Sequence, residues 1–437
     1  MDSNDAFKEY KVKHLFLLVG ENPLPNYVAA LKLLETGGTV YLVYTNQTNS
    51  QKERLKTALK TKGFKITEVG LKDNKSNAFR IYEEVHKKAK KISEENPNED
   101  PEQKLIGLHY TGGTNTMAVH AYRAIADLKR TDTVYSYLDA KTLEIFIDNP
   151  HSDATHRAVQ LTVPLEVLFK LHKYEWQENK EPLPKPILPD AAAEFVRLYQ
   201  DEEIAKTWRT WSNTHQYNNS GELKNAKDFG TGWWKSEDEL STLSLSLTGV
   251  HQEIIQVLRQ HLDASPNQLS LQLTKNKGFN SCEQVCAWLG GIWLEHYVLQ
   301  QVKNLTQDLQ LGESKMSFVI KKSQTWEGGV FEFDVAFMRS YQLFAISCTT
   351  SKDPKECKLK LFEAYTRAKQ LGGDEARVAL VCCCDDDPTK KQRLYSYLKS
   401  QLEGAVENPK IAVFIRKDLP SLKEKIAEWV KRNKGAE

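Results

Sequence analysis

Short apolar runs alternate with amphipathic stretches along the first part of the chain. The apolar runs predict four strands, at residues 14–20, 39–45, 64–71 and 104–110. The stretches between them have helical periodicity, at residues 25–34, 52–63 and 77–92. Because the strands are apolar throughout and alternate with helices, the pattern predicts an α/β domain with a doubly wound parallel sheet. Ligands of such sheets bind at the carboxyl ends of the strands.

A second α/β pattern occupies the C-terminal part of the chain. It consists of a helix at 282–305, strands at 329–339 and 341–350, a helix at 358–371 and a strand at 377–384. Residues 179–190 contain four prolines, which predicts an extended linker, and a mostly helical stretch follows them. We therefore expect a first domain at 1–165, a linker and helical connector at 166–275, and a second α/β domain at 276–437.

The connector carries four tryptophans in a polar segment, residues 206–234. Trp208, Trp211, Trp233 and Trp234 lie among Lys, Arg and Asn, a composition that suits stacking on nucleic-acid bases. The same side chains could instead pack a small helical core. We favour packing.

Charge and composition exclude some classes of function. The 60 Lys and Arg residues against 58 Asp and Glu give a net charge of +2, so a site for a polyanion has to be a local patch. No stretch approaches the ~18 apolar residues of a membrane span, and the polar N-terminus lacks the apolar core of a signal peptide. All seven cysteines follow residue 281 without the paired spacing of a zinc site. We expect a cytoplasmic protein with reduced, structural thiols.

Two loops should meet at the carboxyl edge of the first sheet. The first loop, residues 20–26, follows the first strand, and the second loop, residues 111–116, follows the fourth. Their candidate ligand-binding residues are Gly20, Asn22, Pro23, Asn26, Thr111, Gly112, Gly113, Thr114, Asn115 and Thr116. Glycine lets a ligand approach the backbone, and a helix N-terminus favours an anion. Neither a P-loop nor a Gly-x-Gly-x-x-Gly motif is present, and a plain helix-capping turn is the alternative.

Carboxylates mark a second candidate site, in the C-terminal pattern. Glu295 lies inside the apolar stripe of the helix at 282–305, where a carboxylate is costly unless it is paired or binds a cation. In FEFDVAF the alternation places Phe331, Phe333, Val335 and Phe337 on one strand face and Glu332 and Asp334 on the other. Glu295 and Asp334 together could hold Mg²⁺ or Mn²⁺. The alternative is a glutamate at a cleft rim beside a solvated strand face.

The next strand lacks the residues that usually complete such a metal site. Many metal-dependent nucleases carry an acid and a lysine two positions apart here, whereas this chain has Ser347 and Thr349. Glu356 and Lys358 come too late, at the start of the following helix. Lys352, or Lys355, could reach back from the loop.

Four stretches resemble one known family. They are residues 20–26, YTGGTNTMAVHAYRAI (110–125), GGIWLEHYV (290–298), and FEFDVAF with the following LFAISCTT and LFEAYTRAKQLGG. The chain resembles the CRISPR ancillary nucleases, which join a CARF domain (CRISPR-associated Rossmann fold) to a restriction-endonuclease-like PD-(D/E)xK domain. The resemblance spans most of the chain and is weakest over residues 170–275.

The resemblance implies a homodimer that binds a cyclic oligoadenylate, most often cyclic tetra-adenylate, in type III CRISPR antiviral defence. It adds Thr45 and Asn46 to the ligand-binding loops and makes Glu295 and Asp334 the metal-binding acids of a nuclease that cuts DNA, with RNA left open. Ser347, Thr349 and Lys352 complete the expected catalytic set. A sensor with a degenerate nuclease domain that binds nucleic acid or a partner is the alternative. A minor third interpretation is that the CARF domain degrades its own ligand.

Overall fold

The computed structural model describes residues 5–98, 103–139, 141–148, 155–178, 180–214, 221–322, 330–373, 376–386, 397–398 and 409–433. The strands are β1 Val12–Leu18, β2 Leu34–Tyr44, β3 Lys65–Gly70, β4 Lys104–His109, β5 Thr133–Asp139, β6 Glu144–Asp148, β7 Thr155–Ala158, β8 Tyr174–Trp176, β9 Ser244–Ser246, β10 Gln268–Ser270, β11 Leu311–Lys322, β12 Phe331–Arg339, β13 Gln342–Thr349, β14 Arg377–Cys382 and β15 Ile411–Phe414. The helices are α1 Leu24–Leu33, α2 Asn49–Lys60, α3 Ala78–Glu95, α4 Asn115–Ala126, α5 Leu165–Leu171, α6 Pro189–Leu198, α7 Glu202–Trp211, α8 Glu237–Ser241, α9 Gln252–Leu262, α10 Leu271–Lys275, α11 Cys282–Ala287, α12 Trp293–Asn304, α13 Pro354–Gly372 and α14 Leu422–Arg432.

The first sheet has seven strands in the order β3-β2-β1-β4-β5-β6-β7. The first five are parallel, and β6 and β7 extend the sheet as antiparallel strands. The four strands and three helices predicted from the apolar pattern are confirmed. The sequence pattern did not identify β5, β6 and β7, because none of them forms a continuous apolar run. Buried positions alternate with half-buried ones in β5 and β6, and half-buried positions alternate with exposed ones in β7.

The second sheet has six strands in the order β15-β14-β13-β12-β11-β8. Here β13, β14 and β15 are parallel, whereas β12, β11 and β8 are antiparallel to their neighbours. The predicted strands and the predicted helix α13 are present, apart from residue 329, which lies outside the described residues. Strand β8 comes from the stretch predicted to be linker and connector, and it pairs with β11. The division at residues 165 and 275 remains a prediction.

The connector helices pack against one face of the second sheet. Trp208 and Trp211 are 1% and 3% exposed, stack at 4.5 Å, and share a core with Phe195 and Trp293. Packing is thus confirmed as the role of these two tryptophans. Trp234 is half-buried, whereas Trp233 is 76% exposed. Residues 215–220 of the segment lie outside the described residues.

Three histidines with lowered pKa values predict how stability depends on pH: His109 and His296 are buried, and His172 is half-buried. Burial lowers the pKa of His109 and of His296 to about 3 and that of His172 to about 4. The Ile187 N–H donates to Nδ1 of His296 at 2.8 Å, which requires an unprotonated Nδ1. Because the unfolded imidazoles take up protons near pH 6.5, these three groups stabilise the fold above that pH and lose their contribution as the pH falls.

We expect the free energy of unfolding to fall below pH 6.5 by up to about 1.4 kcal/mol per pH unit for each of these histidines. Denaturant titrations between pH 7 and pH 5 measure this slope. His296→Asn keeps an acceptor for the Ile187 N–H and removes one titrating group, so its slope should be smaller by up to one histidine's share. A variant slope equal to that of the wild type would contradict the assignment.

Candidate active site and ligand-binding site

The two predicted glycine loops meet at the carboxyl edge of the first sheet. A Cβ atom on Gly20 would lie 2.9 Å from the amide nitrogen of Gly113, and one on Gly112 would lie 1.9 Å from the carbonyl oxygen of Leu18. Gly113 itself has φ +75°, a conformation that favours glycine. The loops therefore pack backbone against backbone, which leaves no room for side chains at these positions.

The asparagines of the first loop hold its shape. Asn22 Oδ1 accepts from the Leu24 N–H at 3.0 Å, just before α1. Asn26 is fully buried and its Nδ2 donates to the carbonyl of Leu18 at 2.8 Å. The Asn26 Oδ1 is buried and has no hydrogen-bond partner in the structure. A buried acceptor without a partner is costly, and a ligand donor at this edge would satisfy it.

The second loop caps helix α4. Thr114 Oγ1 accepts from the Met117 N–H at 3.2 Å and donates to the carbonyl of Lys75 at 3.0 Å, while Thr111 Oγ1 accepts from the Leu138 N–H at 2.6 Å. The capping interpretation is therefore correct for Thr114. It does not exclude an anion, because the backbone amides at the start of α4 remain available around exposed Asn115 and half-buried Thr116.

The loop after β2 lies at the same edge. Thr45 is buried and forms a reciprocal cap with Thr48, and Asn46 Nδ2 donates to Asp73 Oδ1 at 3.0 Å. Sequence reasoning missed Lys75, whose carbonyl contacts Thr114 and whose ammonium donates to Gln47. Its position after β3, on the same edge of the sheet, was the signal that could have identified it.

The helix that carries Glu295 is interrupted one turn before that residue. The predicted helix at 282–305 consists of α11, a wider π-helical turn at 288–292, and α12. Gly291 has φ +144°, and a Cβ there would lie 2.9 Å from Thr350 Oγ1, so only glycine fits. The turn starts α12 beside the end of β13 and places Glu295 in its first turn.

Glu295 and Asp334 are both buried, at 7% exposure each. Ser317 Oγ donates to Glu295 Oε2 at 2.6 Å, and Asp334 Oδ2 accepts from Ser347 Oγ at 2.9 Å and from the Cys348 N–H at 2.6 Å. Burial, followed by the charge of Asp334, raises the pKa of Glu295. Burial also raises the pKa of Asp334, against the opposing charge of Lys360. Both shifts mean that the ionised carboxylates are costly in this environment and that a nearby positive charge would stabilise them.

The predicted faces of β12 were wrong. Phe331 and Phe333 pack in the core beneath α13, whereas Val335 and Phe337 pack on the opposite face, against α12. The change of face occurs at Asp334. The register places Ser317 of β11 opposite this residue, and Ser317 has φ +48°, outside the extended range. This local irregularity places Asp334 in the interior, whereas strict alternation along β12 would place it on a solvated face.

Ser347 and Thr349 occupy the positions expected to carry the acid and the lysine, and the hydroxyl group of each forms a hydrogen bond with a nearby residue. Ser347 orients Asp334 through the hydrogen bond described above. Thr349 Oγ1 accepts from the Ser351 N–H at 3.1 Å. The Lys352 ammonium does not join the acids and donates instead to Glu202 Oε1 at 3.1 Å. Glu202 belongs to helix α7 of the connector, a contact across 150 residues of sequence.

Sequence reasoning missed a lysine that the structure does bring to the acids. Lys360, on helix α13, lines a cavity of about 100 Å³ together with Asp334, Ser347 and Glu332. The charge of Asp334, followed by those of Glu295 and Glu332, raises the pKa of Lys360 against the effect of its burial. The available signal was its helical spacing, three residues after buried Cys357 and four before half-buried Ala364.

The two carboxylates offer the oxygen ligands that a divalent cation prefers, although they do not supply a full set of protein ligands. Among the described residues no group of three or more His, Cys, Asp or Glu side chains could hold a metal ion. Mg²⁺, however, is often bound by one or two carboxylates with water and substrate phosphate in the remaining positions. Glu295 and Asp334 provide two such carboxylates, with oxygen donors only. The donor set therefore fits Mg²⁺ or Mn²⁺.

The seven cysteines are all buried and none forms a disulfide. Burial and the charge of Glu237 raise the pKa of Cys282 to about 11, and burial, followed by the nearby Cys282, raises that of Cys286 to about 12. Thiols with pKa values this far above neutral carry little thiolate, which makes them weak nucleophiles at neutral pH. The expectation of reduced, structural thiols agrees with this arrangement. Within the described residues, no helix is both long and apolar enough to cross a bilayer.

No protein-family model matches the sequence, and no curated protein matches it. Solved structures do match. Protein VC1899 from Vibrio cholerae has a TM-score of 0.72 at 14% identity, over 97% of this chain and 99% of its own. Can2 from Sulfobacillus thermosulfidooxidans, in complex with cyclic tetra-adenylate, has a TM-score of 0.63 at 14% identity, over 95% and 99%.

A type III CRISPR defence DNA nuclease activated by cyclic oligoadenylate matches as well. Its TM-score is 0.52 at 17% identity, over 87% of this chain and 47% of the nuclease. The shared fold agrees with the α/β class predicted from the sequence, which is thereby confirmed. Over almost its whole length this chain has the fold of VC1899 and of Can2.

Proposed function

We propose that the chain is a cyclic-oligoadenylate-activated, metal-dependent nuclease of type III CRISPR defence. The observation that carries the proposal is the buried pair Glu295 and Asp334 beside a lysine: Asp334 and Lys360 line one cavity, and the charges of both acids raise the pKa of Lys360. This pair belongs to a chain whose fold matches that of Can2, solved with cyclic tetra-adenylate, over 95% of its length. DNA is the proposed substrate, and RNA is a second substrate to be tested.

The two glycine loops are the proposed messenger site. Backbone amides at Gly112, Gly113 and the start of α4 would bind the phosphates, because little side-chain charge is present and the glycines let the backbone approach. Asn26 Oδ1 is an acceptor available to a ligand donor. Lys75 adds a cation to the same edge: its carbonyl accepts from Thr114 Oγ1, and its ammonium donates to Gln47 Oε1. Cyclic tetra-adenylate is the ring we expect to fit best.

A homodimer is part of the proposal, because a two-fold symmetric ring suits two identical half-sites. Phe79 on α3 and Val119 on the neighbouring α4 support it, since they are 66% and 56% exposed. Light scattering of the purified chain should give the mass of two subunits. Phe79→Asp should shift the protein towards monomer and weaken messenger binding together. A monomeric wild type that binds the messenger tightly would contradict this part.

At the acidic site Glu295 and Asp334 would hold Mg²⁺ or Mn²⁺. When bound, such an ion polarises a phosphoryl oxygen and lowers the pKa of coordinated water. Ser317 and Ser347 fix the orientation of the two carboxylates by donating to them. The buried surroundings strengthen every charge interaction in the site, which favours stabilisation of charge that develops at the phosphate.

A second function is favoured by one specific observation. Ser347 and Thr349 stand where active sites of this kind carry an acid and a lysine, so the chain could bind its messenger and nucleic acid without cutting. This sensor would show messenger affinity with no cleavage under any divalent metal.

The test combines binding and cleavage on the same purified protein. Messenger affinity is measured for cyclic tri-, tetra- and hexa-adenylate, and cleavage is measured with Mg²⁺ or Mn²⁺ on supercoiled plasmid, single-stranded DNA and RNA. The proposal predicts cleavage that requires one ring size and is abolished by EDTA. Messenger binding without cleavage of any substrate would establish the sensor instead. Absence of messenger binding would overturn both.

A further inference from the structure

One face of helix α13 carries charged side chains into the acidic site. Lys360, Glu363 and Arg367 recur at helical spacing and line the same cavity as Asp334 and Ser347. Beneath them, Cys357, Leu361 and Ala368 are fully buried against the sheet. The N-terminus of α13 is capped by Asp353, whose side chain accepts from the Lys355 N–H at 2.9 Å. Packing and capping together fix the position of this charged face.

Positions 347 and 349, where many nucleases carry the acid and the lysine, face the side of the sheet on which α13 packs. Leu343 and Ala345 of β13 pack in the core beneath α13, and alternation puts Ser347 and Thr349 on that side as well. A lysine on α13 therefore enters the site from the direction in which a lysine at position 349 would point.

Lys360 differs from its cationic neighbours Arg367 and Lys352 in what it faces. Arg367 places its guanidinium 4.9 Å from the ring centre of Phe331, and Lys352 pairs with Glu202. Lys360 is half-buried and lines the cavity that also holds Asp334, Glu332 and Ser347. It therefore brings a positive charge to the cavity of Asp334, one of the two proposed metal ligands.

We propose that Lys360 is the catalytic lysine of this site, contacting the scissile phosphate in place of a lysine at position 349. The inference rests on the proposed nuclease function. A lysine ammonium acts as a compact point charge on a flexible stem, so it can be supplied from a neighbouring helix provided that it reaches the phosphate. Its charge would stabilise the negative charge that develops on the phosphate oxygens during cleavage.

The test compares Lys360→Met, Lys360→Arg, Lys352→Met and Lys369→Met at saturating messenger, with Mn²⁺ titrated to saturation for each protein. Lys369 is the matched control, because it lies on the same helix, is exposed and stacks over Tyr365. We expect Lys360→Met to cut about 100-fold or more slowly. Lys360→Arg should recover part of the rate, and Lys369→Met should cut at the wild-type rate.

The outcomes separate this inference from the proposed function. If the wild type cuts and Lys360→Met cuts equally fast, Lys360 is not catalytic and the nuclease function stands. If Lys352→Met is the inactive variant, the loop lysine has that role. If the wild type cuts no substrate, the proposed function itself fails. A slow Lys360→Met with unchanged messenger affinity and melting temperature supports the inference, because a purely structural role would shift the melting temperature.

A second observation concerns the other end of the same helix. Helix α13 ends at Gly373, which has φ +63° and lies against the first glycine loop, so that a Cβ there would be 3.1 Å from Asn22 Nδ2. One rigid helix thus contacts the proposed messenger loop at its end and carries Lys360 in its interior. We infer that messenger binding at residues 20–26 acts on the nuclease site by moving α13.

Gly373→Ala tests this inference, because the new methyl crowds Asn22 and its backbone conformation strains any residue but glycine. Gly249→Ala is the matched control: it has φ +83° with no atom within 4 Å of the added Cβ. We expect Gly373→Ala to bind the messenger within a few-fold of wild type and to lose about 10-fold or more of its activation. Activation equal to that of Gly249→Ala would overturn the inference.

Discussion

Asp334→Asn is expected to abolish cleavage, with a loss of about 1,000-fold or more at saturating messenger and Mn²⁺. The asparagine has the same shape, and its Oδ1 can still accept from Ser347 or the Cys348 N–H. What it lacks is the negative charge that would hold a divalent cation. Because burial raises the pKa of Asp334, its ionised form costs free energy in the metal-free protein. The variant should therefore be at least as stable as the wild type.

Initial rates of plasmid cleavage measure this effect, with Asp308→Asn, an exposed aspartate outside both sites, as the matched control. Messenger affinity should be the same in both variants and the wild type, because Asp334 belongs to the second sheet whereas the glycine loops follow strands of the first. Cleavage by Asp334→Asn at the wild-type rate would show that the assignment of the metal-binding acid is wrong.

Gly112→Ala is expected to remove messenger binding, with a loss of affinity of about 100-fold or more. The added Cβ would lie 1.9 Å from the carbonyl oxygen of Leu18, a backbone atom that cannot turn aside. Either the second loop or the end of β1 has to move, and a forced shift of this kind typically costs about 1–3 kcal/mol of stability. The backbone amides that would bind the phosphates move with the loop.

Equilibrium binding of labelled cyclic tetra-adenylate is the measurement. Gly63→Ala is the control, since it has φ +83° in the same part of the chain with no atom within 4 Å of the added Cβ. Should Gly112→Ala fail to fold, exposed Asn115→Ala probes the same loop without a clash and should weaken binding about 10-fold. Wild-type affinity in a folded Gly112→Ala protein would place the messenger elsewhere.

The sequence revealed those parts of the structure that depend on local pattern. Continuous apolar runs identified β1 to β4 of the first sheet and β13 and β14 of the second, and glycine turns after β1 and β4 identified two loops that do meet. Glu295 was recognisable because a carboxylate inside an apolar stripe needs a partner. In each of these cases the physical requirement is contained within a few consecutive residues.

The remaining features depend on how helices and strands pack against one another, and a local sequence pattern carries no information on that packing. Lys360 reaches the acids only because α13 packs on the face of β13 that carries Ser347. Lys352 is directed away from them because Glu202, 150 residues earlier in the chain, is its partner. The irregularity at Ser317 reverses the faces of β12 and turns Asp334 inward, against the simple alternation. Strand β8 lies just before the proline-rich stretch and was missed because its three residues form a strand only by pairing with β11.

The central claim is that the messenger site controls the acidic site, and one ratio tests it most directly. This is the initial rate of supercoiled-plasmid cleavage in Mn²⁺ with saturating cyclic tetra-adenylate, divided by the rate without it. We expect a ratio of about 10 to 100, and we expect Asp334→Asn to cut only at background with or without the messenger. A ratio of one, with messenger binding demonstrated on the same preparation, would contradict it.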